Sequence, residues 1–174
     1  METSTEAILG SLGVHRDELR AAVAAVPADR HAERPAPDRW SVDLIVEHLA
    51  LVENSVARLL RVRLRDLPAD AAGGHQPGTR IDARRVLDRT QRFPAIAVVD
   101  PKGGVAAAAS LAALQRSRTE LLDVAHAARG RDTSSIRVPH AMLGPLGFWQ
   151  WIEFVGLHES RHAAQIREVA AALA

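Results

Sequence analysis

The chain has 174 residues, 47% hydrophobic and 25% charged, with 22 basic against 21 acidic side chains and a net charge of +1; this suits one globular domain over residues 1–174 and argues against disorder. The even charge balance gives no general case for nucleic acid or an anionic membrane surface, and no apolar run approaches the roughly 20 residues of a membrane helix. There are no cysteines, which removes disulfides, thiolate side chains and cysteine-type zinc sites, and METSTEAILGSLG lacks the basic region and long apolar run of a signal peptide, so a soluble cytoplasmic protein is expected.

Thr5 to Val26 predicts a first helix. Ile8, Leu12, Leu19, Val23 and Val26 keep helical spacing, and Pro27 stops it. His15 lies near this apolar face, where a partly buried, locally hydrogen-bonded histidine is expected. Pro27 to Arg39 holds three prolines and predicts a loop. Ser41 is then a good N-cap, with Asp43 in the first turn of a second long helix ending near Pro68. Ile45, Val52 and Leu59 form its apolar stripe, and His48 falls on that stripe.

Pro68 to Gly104 predicts a long irregular crossover. Gly73, Gly74, Pro77 and Gly78 mark a turn. Ile81 to Arg92 fits a short amphipathic helix. Phe93 to Asp100 is apolar and short, a strand or an extended loop. Val105 to Ala128 predicts a third long helix with Leu111, Leu114, Leu121 and Val124 inward, ended by Gly130. RDTSSIRVPHAMLGPLG is expected to be mostly extended, because of Pro139 and Pro145, and carries His140 to the threshold of the last helix. Four helices and no convincing sheet make an all-α four-helix bundle with a long crossover between helices 2 and 3.

The last helix, Phe148 to Ala170, carries the chemistry. His158 and His162 are four residues apart and so share one face, one turn apart. Alternating steps of three and four reach Val155, Trp151 and Phe148 in one direction and Gln165 and Val169 in the other, so the pair lies on the core-facing stripe. With His48, three histidines occupy inward positions. A buried imidazole needs a hydrogen bond or a metal. Two histidines at i and i+4 plus one from a neighbouring helix form a three-nitrogen set, and three protein ligands with open positions is the catalytic rather than the structural pattern. Zinc is the first assignment; nickel, iron and manganese also suit imidazole. The alternative is a bundle whose histidines are structural, serving as a dimer or binding module.

HESRH also matches the zincin pattern H-E-x-x-H. That reading is rejected: a zincin needs a third ligand downstream, its metzincin form would need glycine and histidine where Gln165 and Glu168 stand, and its helix lies beneath a sheet, of which none is evident. Only 12 residues follow His162. Glu159, one residue off the histidine stripe, is expected to face solvent or pair with a basic neighbour. Arg161 is expected in a surface ion pair, with an anion anchor near the site as the alternative, and Trp149 and Trp151 in packing or an interface, with pocket lining as the alternative.

Three blocks resemble the DinB/YfiT-like superfamily: RPAPDRWSVDLIVEHLALVE, with Trp40-Ser41 ahead of a helix bearing His48; PKGGVAAAASLAALQRSRTELLDV, with an arginine at Arg118; and PHAMLGPLGFWQWIEFVGLHESRHAAQI, with H-x-x-x-H followed by Gln165-Ile166. The resemblance spans Arg34 to Ile166. It implies a four-helix bundle, a divalent metal held by His48, His158 and His162, and a homodimer. Characterised relatives include metal-dependent transferases and isomerases that use low-molecular-weight thiols such as bacillithiol or mycothiol. A three-histidine metal can activate a thiol or a water, so the expected function is thiol-dependent S-transfer to a small electrophilic substrate, with a metal-dependent hydrolase as the alternative. With no cysteine in the chain, the thiol must be a cosubstrate. His140 is a candidate for supporting the centre or moving a proton, or else packs the loop.

Overall fold

The computed structural model describes residues 4–68, 80–91 and 95–174. The proposed turn at Gly73, Gly74, Pro77 and Gly78, and the first two residues of the Phe93 segment, lie outside them. Helix α1 spans Thr5–Ala24, with Ser4 Oγ accepting from the Ala7 amide. Ser41 does the same for α2, Val42–Arg65. A short α3 follows at Ala83–Leu87, then α4 at Ala107–Ala127 and α5 at Phe148–Leu173. The expected helix at Ile81–Arg92 therefore contracts to five residues. Asp88, beyond its end, is extended and binds the Thr90 amide and hydroxyl, a local turn that competes with helix. The apolar segment before Asp100 is neither strand nor extended: Ala97–Val99 form a single 3-10 turn.

The bundle pairs α1 with α5 and α2 with α4, and α2 also packs on α5. A small sheet is present where none was expected. Arg137–His140 (β1) and Gly144–Gly147 (β2) form an antiparallel hairpin with Pro139 opposite Pro145. Both prolines argue against a central strand, but a two-stranded ribbon is all edge, where a missing N–H is tolerated.

Apolar residues form two core clusters. One contains Leu12, Leu60, Leu121 and Ile152. The other contains Leu19, Ile45, Leu114 and Ile166. At the corresponding level of each long helix, between its contributions to the two clusters, sits one charged residue: Arg16, Glu53, Arg118 and Glu159, all buried. Arg16 binds Glu53 and Glu159 at 2.6 Å each, and Arg118 binds Glu53 at 2.7 Å and Glu159 at 2.9 Å. Each of the four carboxylate oxygens accepts one N–H, and Arg118 also donates to the Leu12 carbonyl at 2.9 Å. The closed, neutral ring offsets the cost of removing four charges from water and ties all four helices together. Glu159 is thus not at the surface; it takes the alternative expected role, pairing with basic neighbours.

At Gly156 the helices α1 and α5 approach closely. A Cβ there would stand 2.6 Å from His15 Cδ2 and 3.2 Å from Leu12 Cδ2. His15 is half-buried and its Nδ1 is 2.7 Å from Ser160 Oγ on α5, so its partner is local in space and not in sequence.

The described part of the crossover is pinned at both ends. Buried Glu153 accepts from Arg80 Nε at 2.7 Å and from the Ile81 amide at 3.0 Å. Arg161 donates to the carbonyls of Val86 and Gln91, each at 2.9 Å, and of Asp88; it is a half-buried clamp on the crossover, not a surface ion pair. At the far end Glu47 accepts from the amides of Lys102 and Gly103, where two glycines with positive φ turn the chain. Asp43 then accepts from the Ala107 amide at 2.7 Å, supplying the cap that α4 lacks in its own sequence.

Candidate metal centre

His48 stands two turns into α2, and His158 and His162 one turn apart in the middle of α5. The bundle brings them together: each offers one nitrogen, and the three lie within 4.8 Å of one another. His158 Nε2 and His162 Nε2 are 3.1 Å apart. Two nitrogens sharing one ion at about 2.0–2.1 Å each can be at most about 4.2 Å apart, so this pair is already within range.

Two of the rings are held from behind. His48 Nδ1 is 2.7 Å from the Val99 carbonyl. A carbonyl can only accept, so Nδ1 carries the proton and Nε2 the lone pair. His162 Nδ1 is 2.8 Å from Gln165 Oε1, which assigns the same tautomer there. Aromatic rings wall the cluster. Trp40 lies 5.0 Å from His48 and 6.3 Å from His162 between centroids, stacked on the latter. Phe154 stacks on His158 at 5.0 Å.

Burial holds the imidazoles neutral. It pushes His158 and His162 well below their ordinary 6.5, and the neighbouring imidazoles add to the effect. It also lowers His48, against the opposing pull of the Val99 carbonyl. Neutral imidazole is the ligating form.

His140 packs against the same aromatic wall, 4.5 Å from Phe154 and 5.3 Å from Trp151. Its Nδ1 accepts from the amides of Met142 and Leu143, at 3.2 Å and 3.3 Å, and so ties the hairpin turn. The neutral ring then carries its proton on Nε2. Trp151 is buried and donates from Nε1 to the Val138 carbonyl at 3.3 Å; Trp149 is also buried. Both tryptophans pack the core.

Three groups at the centre had no separate role expected from the sequence. Phe154 and Gln165 could have been found, since they sit at i−4 and i+3 from a histidine on one helix. The Val99 carbonyl could not, because any residue type presents a carbonyl.

The family model described as the DinB superfamily matches residues 11–166. An uncharacterised protein of Bacillus subtilis (strain 168), YuaE, is 23% identical over 137 residues, covering 79% of this chain and 81% of its own. Among solved structures, the four-helix bundle protein TT2238 superposes with a TM-score of 0.62 at 21% identity, covering 95% of this chain and 99% of its own, and so shares the fold.

Proposed function

The chain belongs to the DinB superfamily, and on that premise we propose that it is a divalent-metal-dependent enzyme, with His48, His158 and His162 as ligands, that transfers a low-molecular-weight thiol to a small electrophilic substrate. The observation that carries the reading is the convergence of three neutral imidazoles, two of them with the outward nitrogen already hydrogen-bonded. The donor set fits zinc first, and nickel, iron or manganese next. When bound, the ion would lower the pKa of a thiol presented to it. The chain supplies the rest. Trp40 and Phe154 exclude water from the imidazoles, Val99 and Gln165 fix two of the rings, and His140 has an Nε2 proton available near the aromatic wall. The new bond is carbon–sulfur; the S–H bond and the bond from carbon to the leaving group break, the leaving group departs with that bonding pair, and the thiol proton passes to it or to solvent. The thiol comes from a cosubstrate, because the chain has no cysteine.

The test begins with protein purified without an affinity tag. About one divalent ion per chain is expected, and none in His48→Ala. Thiol consumption is then followed with bacillithiol and with mycothiol against a panel of small electrophiles, with and without chelator. Chelator-sensitive consumption supports the transferase. Chelator-sensitive ester or amide cleavage without thiol replaces it with a hydrolase, and an absence of metal returns the bundle to a binding module.

A further inference from the structure

We propose that Gln165 is a positioning residue for His162: its side-chain oxygen holds the Nδ1 proton of that imidazole, so that the unprotonated Nε2 faces His158 and His48. The proposal rests on the metal-site reading for its consequence, though not for its geometry.

Gln165 Oε1 is 2.8 Å from His162 Nδ1. An amide could present either its oxygen or its nitrogen to a ring, and the choice decides which tautomer is stabilised. A second neighbour makes the choice. Arg89 Nη1 lies 3.5 Å from the same oxygen. A guanidinium has only donors, so the reversed amide would set N–H against N–H. Arg89 is itself held in place by both oxygens of Glu168, at 2.7 Å and 2.8 Å, in the forked geometry of a strong ion pair. Arg89 comes from the segment following α3, whereas Gln165 and Glu168 are one turn apart on α5. The orientation of Gln165 is therefore imposed from outside its own helix.

With the oxygen facing His162, the imidazole proton belongs on Nδ1 and the lone pair on Nε2. The opposite tautomer would place a proton where a ligand electron pair is needed. Outer hydrogen bonds of this kind orient a ligating histidine and raise its basicity. His48 has the equivalent support from a backbone carbonyl, which no substitution at Val99 removes. Gln165 supplies it through a side chain and can be tested directly.

The test compares wild-type protein with Gln165→Leu and Gln165→Glu. Long-range proton–nitrogen correlation spectra of metal-free, 15N-histidine-labelled protein read the His162 tautomer, and titration with cobalt(II) reads affinity. The Nδ1-protonated form is expected in wild type and in Gln165→Glu, and a mixture in Gln165→Leu. Cobalt(II) binding should weaken by about 10- to 100-fold in Gln165→Leu and recover in Gln165→Glu, which keeps an acceptor at that point. An unchanged tautomer and affinity in Gln165→Leu would overturn the proposal, as would an equal loss of affinity in Gln165→Glu. Wild-type protein that takes up no cobalt(II) overturns the metal-site reading instead, and the tautomer spectra still decide what Gln165 does.

Discussion

Arg16 on α1 donates to Glu159 on α5 at 2.6 Å, and both side chains are at least 95% removed from solvent. Glu159 follows His158 directly and points into the bundle at a level where all four long helices contribute a charge. The motif H-E-x-x-H therefore contains a structural glutamate. Both of its oxygens are taken by guanidiniums, Arg16 on one and Arg118 on the other.

Removing one member of this ring should be severe. Glu159→Ala leaves two buried guanidiniums short of a partner and is expected to cost about 3–5 kcal/mol, read from urea unfolding. Replacing all four charges by apolar residues of matching volume should cost far less, since the desolvation penalty disappears with the charges. A mild effect of Glu159→Ala alone would mean that water reaches the ring.

Metal and stability should be linked. A ligand that binds only the folded state adds about 2.7 kcal/mol at a hundredfold excess over its Kd. Added zinc should therefore raise the melting temperature of the metal-free protein, and the rise should vanish in His48→Ala. That variant also loses the bond to the Val99 carbonyl, so its crossover should be cut faster by protease even without metal.

The metal-free protein should weaken in mild acid. Burial holds His158, His162 and His48 below 6.5 in the folded state, and half-buried His15 and His140 are shifted the same way, also chiefly by burial. The unfolded chain takes up protons near 6.5, so between the lowered folded values and 6.5 it binds more protons than the native state. Stability is then full above about 6.5 and falls as the pH drops below it, by at most about 1.4 kcal/mol per pH unit for each histidine. Urea midpoints measured from about pH 8 down to about pH 5 check the sign; a flat profile contradicts it.

The contact at Gly156 gives a paired test. Gly156→Ala drives a methyl group to within 2.6 Å of the His15 ring, which Ser160 holds in place. Overpacking of this kind is expected to cost about 1–3 kcal/mol. Adding His15→Ala should recover part of the loss in melting temperature, because the obstructing ring is gone. Purely additive losses would place the strain elsewhere.

The long helices were legible because each has a wide apolar stripe and a recognisable start or stop: Ser41 before α2, Pro27 after α1. The shared face of His158 and His162, and the inward position of His48, follow from the same periodicity. The hairpin at Arg137–Gly147 was not legible, since its prolines speak against strands and only the register across the turn reveals the pairing. The 3-10 turn at Ala97–Val99 was equally hidden, because three apolar residues carry no period. Arg161 read as a surface charge because its partners are backbone carbonyls, which have no sequence signature.

By itself, the sequence determined which faces of the four helices must be buried and that three histidines lie on them, because helical spacing and the cost of exposing apolar surface act locally. Tertiary structure alone decided that the three imidazoles meet, that Val99 and Gln165 hold two of them from behind, and that Glu159 closes an ionic ring with residues from three other helices. Those facts depend on which helices become neighbours and at what height they cross. That is set by packing among residues far apart in the chain, such as Arg16 and Glu159, 143 positions apart.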